Sequence, residues 1–198
     1  MRKTDNSERM KNSGHHAPGF TMIELLIAMT VGLIVLGALC STFILQNRAY
    51  DAQEQYTEMI QGARAGMDMM ARDIQMAGYN PTGASFDGVA YSASQLQVQS
   101  DHNGDGDTGD TDENIIYTYD SINRRINQNA QPFVDNIQSF SFEYLDSAGS
   151  ATTTSSDIRQ VRLIIATRTG KPDTDFGSNG GYRVYTLKTV VTPKNIGL

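Results

Sequence analysis

The sequence predicts an α+β protein, with one long N-terminal helix whose C-terminal half packs on an antiparallel β-sheet head. Three patterns carry this reading. An apolar run over residues 20–45 leads, without a proline before Pro81, into apolar residues spaced three and four apart as far as Ala77. Beyond Pro81 the periodicity changes from helical to two, the signature of half-buried strands. Between the two regimes stand Gly78 and Asn80-Pro81, a combination that stops a helix.

Residues 1–19 are polar, with Arg2, Lys3, Arg9 and Lys11 set against Asp5 and Glu8. The chain changes character at Gly19-Phe20. The 26 residues that follow carry a single charge, Glu24. As a helix they extend roughly 39 Å, enough to cross a ~30 Å hydrocarbon layer. The run is longer than the apolar core of a secretory signal, and Ser41-Thr42-Phe43 does not form a small-residue cleavage site. The basic flank places the N-terminus in the cytoplasm. Glu24 reads in two ways. A carboxylate within an apolar span marks a functional site with a cationic partner to be named. Alternatively, only four residues into the run, it reaches the interface by snorkelling.

The amphipathic half places Tyr56, Ile60, Ala63, Met67, Met70, Ile74 and Ala77 on one face, and Arg64, Asp68 and Arg72 on another at i,i+4 spacing. A methionine-rich stripe at this spacing is core packing against a sheet, not a cofactor box. Strands are expected at residues 95–99, 115–119, 139–145, 158–167 and 182–187. Loops are expected at 147–157, rich in Ser and Thr, and at 171–181, rich in Gly and Asp. The domain reading is therefore an N-terminal segment 1–19, an apolar half-helix 20–45, an amphipathic half-helix 46–78 and a β-rich head 79–198.

Composition narrows the chemistry. With 198 residues, 39% hydrophobic and 19% charged, the chain is one folded domain rather than a disordered or low-complexity segment. A formal charge of −6 does not suit a phosphate backbone. The only adjacent basic pair in the head, Arg124-Arg125, reads as an exposed strand face, so no nucleic-acid partner is expected. A single cysteine, Cys40, forms neither an internal disulfide nor a four-ligand zinc site.

The most chemical stretch is residues 101–113, DHNGDGDTGDTDE. Asp101, Asn103 and Asp105 occupy positions one, three and five of a calcium-loop pattern, with Gly106 at the turn and Asp107 at position seven. Position twelve is Asp112, one methylene shorter than the glutamate that usually closes such a loop. Asp112 then binds through one oxygen, or Glu113 reaches in instead. Oxygen ligands at this density suit Ca²⁺, and external sites of this type have Kd of order 10⁻⁴–10⁻³ M. The competing reading is a solvated Asp/Gly turn between two strands. His102 sits at a variable position and faces solvent.

The residues Gly19-Phe20-Thr21-Met22-Ile23-Glu24-Leu25-Leu26 resemble the class III signal of type IV pilins and type II secretion pseudopilins, whose pattern is GFTxxE. The resemblance implies the type IV pilin fold, cleavage by a prepilin peptidase between Gly19 and Phe20, and methylation of the new Phe20 amine. It also implies that Glu24 pairs with the N-terminal ammonium of a neighbouring subunit during assembly, so that the missing cation comes from another chain. Cleavage would remove four basic and two acidic residues, taking the formal charge from −6 to −8, and would leave His102 as the one histidine. Ser-His-Asp and Cys-His catalysis are then not expected, and no enzymatic activity is. Many major pilins carry a helix-bending proline in the apolar half, which this chain lacks.

The head segments 140–146, 158–163 and 190–195 are similar to minor pilins of the PilW type, which are related to J-type pseudopilins. That similarity implies a subunit that initiates pilus assembly and stays at or near the tip. Its partners would be other minor and major pilins and the inner-membrane assembly machinery, with a separate ATPase supplying energy. Gly32, Gly37 and Ala38 would let neighbouring helices approach closely. The implied location is the inner membrane before assembly, with the N-terminus cytoplasmic, and then a surface pilus. The alternatives are a type II secretion pseudopilin, and a membrane-anchored, calcium-dependent enzyme or carbohydrate-binding module.

Overall fold

The structure, a computed structural model, describes residues 19–173 and 176–196. The expectations for residues 1–18 lie outside the described residues. One helix, α1 (Met22–Met76), is followed by eight strands. These are β1 (Val89–Ala90), β2 (Gln95–Gln99), β3 (Asn114–Asp120), β4 (Arg125–Gln128), β5 (Gln131–Val134), β6 (Ile137–Leu145), β7 (Gln160–Arg168) and β8 (Val184–Val191). The chain falls into two compact units that divide between Arg48 and Ala49.

The first unit holds the apolar start of α1. Every described residue up to Arg48 is exposed, including Leu25, Leu33, Leu36 and Phe43. This stretch is long and apolar enough to cross a membrane.

In the second unit, α1 buries Met59, Ala63, Gly66, Met67, Met70 and Ile74. The methionine stripe is core, as its spacing predicts. Its upper end differs, because Tyr56 is 37% exposed and Ile60 only half-buried, while Met59 turns inward. Gly66 lets the helix sit close on β5. A Cβ at this position would lie 2.3 Å from Val134 Cγ2. The helix ends at Met76, and Gly78, at φ +77°, turns the chain away and donates its N–H to Gln99 O at 2.9 Å.

The single head sheet expected from the sequence is two antiparallel sheets, one in the order β1-β2-β3-β4-β5 and one in the order β6-β7-β8. The switch between them falls at Asn136, in the left-handed region at φ 62°. Its carbonyl accepts the Arg168 N–H at 2.8 Å and the Thr167 hydroxyl at 2.9 Å, which fixes the start of the second sheet. β7 alternates without exception, placing Val161, Leu163, Ile165 and Thr167 inward. Along β6 the rings of Phe140, Phe142 and Tyr144 form a ladder with successive centroids 5.6 Å apart.

Strands β1, β4 and β5 have no counterpart in the sequence reading. β4 and β5 are joined by Asn129 and Ala130, both at positive φ (47° and 64°), with Gln128 paired to Gln131. That is a two-residue hairpin of the I′ kind with alanine where glycine is usual, so it lacks the Asn-Gly signal. The Arg124-Arg125 pair is also divided. Arg124 lies in the β3–β4 turn at φ 53°, and Arg125 lies in β4, 3.8 Å from Asp135.

One polar contact runs from the helix into the core. The fully buried Tyr117 of β3 donates its hydroxyl to Asp73 of α1 and accepts from Gln128 Nε2 at 3.0 Å. Burial pushes the Asp73 carboxyl up, against the pull of Tyr117, Arg72 and His102. Burial and Asp73 together push the Tyr117 phenol above the ordinary tyrosine range.

Candidate functional site

Two segments hold the residues to which the sequence assigns chemistry. At the start of α1, Gly19 and Phe20 are exposed and precede the helix, and Thr21 is the residue before its first turn. The Thr21 hydroxyl accepts the Glu24 N–H at 3.3 Å. Glu24 Oε2 in return accepts the Thr21 N–H at 3.1 Å and the Thr21 hydroxyl at 3.0 Å. This is a capping box, in which two residues satisfy each other's orphan donors. Within the isolated chain Glu24 therefore has a local partner in Thr21. The signal was present as Thr-x-x-Glu ahead of an apolar run.

The other polar side chains of this run are also satisfied by the helix itself. Thr30 donates to Leu26 O and Ile27 O at 3.1 and 2.8 Å, Ser41 to Gly37 O at 2.9 Å and Thr42 to Ala38 O at 3.0 Å. With these hydroxyls turned inward, the surface of the run is hydrocarbon.

The second segment is the loop between β2 and β3. Asp101 is fully buried. Its Oδ1 accepts the Gly104 N–H at 2.7 Å, and its Oδ2 accepts the Gly106 N–H at 3.1 Å and the Thr82 hydroxyl at 3.0 Å. Gly106 sits at φ +90°, a conformation that the sharp turn at position six requires of glycine. Asn103 donates to Asp105 Oδ2 at 3.1 Å and to Asp110 Oδ2 at 2.8 Å. Asp105 Oδ1 accepts the Asp107 N–H at 3.0 Å, and Asp107 Oδ1 the Gly109 N–H at 2.7 Å.

Glu113 closes the loop. It is 2% exposed, and its Oε1 accepts the N–H groups of His102 and Asn103 at 2.7 and 3.1 Å. Asp101, Asp105 and Glu113 each offer a carboxylate oxygen within 4.8 Å of the others. Asp107 and Asp112 are exposed and lie outside this group. Of the two ways of closing the loop that the sequence left open, the structure brings Glu113 inward. His102 is exposed, with Nε2 3.0 Å from the Ser100 hydroxyl.

Residues 15–39 match the prokaryotic N-terminal methylation motif. The described part of that match lies on the exposed apolar start of α1. No curated protein matches the chain. Among solved structures it is similar to a type IV-like pilin from Thermus thermophilus, with 11% sequence identity and a TM-score of 0.47 over 70% of this chain and 98% of that one.

Proposed function

We propose that this pilin-like chain is a minor pilin of the PilW type, cut between Gly19 and Phe20, methylated on Phe20, and assembled at the start and tip of a type IV pilus. The observation that carries the reading is the helix start. A capping box of Thr21 and Glu24 opens an apolar stretch whose described residues are all exposed. Such a surface needs lipid before assembly and neighbouring helices after it. The capping box also orients the Glu24 carboxylate at the helix start, through the Thr21 N–H and hydroxyl. A neighbour's ammonium can then add to a carboxylate that is already oriented. The basic residues ahead of Gly19 support a cytoplasmic N-terminus during storage in the inner membrane.

Two measurements test this. The intact mass from a membrane fraction should show loss of residues 1–19 and gain of one methyl group, and an uncut chain would overturn the processing reading. Immunogold labelling of sheared pili should mark filament ends. Labelling along the whole length would assign the chain to the shaft instead, and absence from pili with retention in secretion complexes would assign it to type II secretion.

A further inference from the structure

We infer that the β2–β3 loop is a calcium site built on Asp101, Asp105 and Glu113, with Glu113 at position thirteen closing it in place of Asp112. The three carboxylates converge within 4.8 Å. Convergence alone is common among acidic side chains, and a different observation points to a ligand. Glu113 is 2% exposed, and its Oε2 is buried with no hydrogen-bond partner. Every other oxygen of the group has a donor. Asp101 takes two backbone N–H groups and the Thr82 hydroxyl, Asp105 takes the Asp107 N–H and the Asn103 amide, and Glu113 Oε1 takes two backbone N–H groups. A buried carboxylate oxygen with no partner is strongly disfavoured unless a cation meets it.

Among the described residues no side-chain cation forms an ion pair with this group. The ion pairs among the described residues, Arg125–Asp135, Arg162–Glu143 and Arg183–Asp173, lie elsewhere. An all-oxygen donor set with several carboxylates selects a hard divalent ion, and its loop setting suits Ca²⁺, which accepts flexible geometry, better than Mg²⁺. Position thirteen works because Glu113 starts beside β3 (its carbonyl accepts the Ser100 N–H at 2.9 Å) and so enters from the sheet side while Asp112 stays outside.

The bound ion would also fasten the exit of α1. Asp101 donates its N–H to Tyr79 O at 2.8 Å and accepts the Thr82 hydroxyl, so the loop and the segment after the helix are already tied through one ligand.

The test is calcium titration of the full chain in detergent micelles, by calorimetry and by thermal melting. Wild type should bind with Kd of order 10⁻⁴–10⁻³ M. At ten times Kd its melting point should rise by about 3–6 °C. Glu113→Gln and Asp105→Asn should each weaken binding about tenfold or more, whereas Asp112→Asn should leave Kd within about twofold. Asp105 is exposed, so its variant reports even if Glu113→Gln misfolds. No heat and no shift with wild type would overturn the proposal, as would loss of binding in Asp112→Asn with retention in Asp105→Asn.

Discussion

Glycines 62 and 66 lie one helical turn apart on α1, yet alanine at each should change stability in opposite directions. At Gly62 an added Cβ meets nothing within 4 Å. Gly62→Ala therefore expresses only the helix propensity difference and should stabilise by about 0.5–1 kcal/mol. At Gly66 the added Cβ would lie 2.3 Å from Val134 Cγ2, with Phe133 Cε1 at 3.6 Å behind it. That is about 1.2 Å short of the ~3.5 Å at which carbons attract. Val134 is β-branched and 7% exposed, so it has little room to turn away. Overpacking costs about 1–3 kcal/mol, and an overlap this deep falls in the upper half of that range. After the propensity gain, Gly66→Ala should destabilise by about 1–2 kcal/mol, or roughly 2–8 °C in melting temperature. Adding Val134→Ala should restore part of the loss, with a coupling of about 1–2 kcal/mol in the double-mutant cycle. The assay is urea unfolding of the full chain in micelles, followed by near-UV circular dichroism of its nine tyrosines. Equal signs at the two glycines, or no rescue by Val134→Ala, would refute the close approach of helix and strand.

Ala130→Gly should raise stability by about 1 kcal/mol, because alanine at φ 64° bears a strain that glycine does not; an unchanged melting point would show that the turn is not of the I′ kind. Asp73 gives a pH dependence of definite sign. Its carboxyl is raised in the folded state, so it holds its proton more tightly there than when unfolded. Its contribution is then fully present below the ordinary carboxylate range and is lost as pH rises through the raised folded value. Wild type should therefore lose stability relative to Asp73→Asn as pH rises through and above the ordinary carboxylate range, and a relative gain would contradict the burial argument. Thr21→Ala should remove the capping box at a cost of about 1 kcal/mol and speed hydrogen exchange at the first amides of α1. Unchanged exchange there would mean that the cap does not hold the helix start.

The long helix was readable because its two halves follow simple rules, continuous hydrocarbon first and a three-four stripe after. Where those rules thin out, the reading slipped. Tyr56 and Ile60 fit the stripe by spacing, but the head closes on the helix only from Met59 onward, and no local pattern announces where a sheet begins to cover a helix. Strands β4 and β5 are four residues each and turn on Asn-Ala, so neither length nor turn chemistry marked them. Asp73 and Tyr117 are 44 residues apart, and their bond exists only after the helix has docked on β3. In the acidic loop the structure brings Asp101 and Asp105 together with Glu113, and whether Asp112 or Glu113 turns inward depends on how the chain enters β3. The capping box was legible and went unread, since attention to the charge of Glu24 obscured the threonine three residues before it.

The inward turn of Thr30, Ser41 and Thr42 leaves the apolar run without a directional bond to offer a neighbour. Helices of this kind, laid side by side, can glide along one another at small cost, as greased rods do. Notches such as Gly32 and Gly37 set depth of contact more firmly than axial position. Along that stretch, the one charged group is the carboxylate at its beginning. If the chain assembles through this helix as proposed, tension would be taken up by slippage between subunits while each helix keeps its own hydrogen bonds.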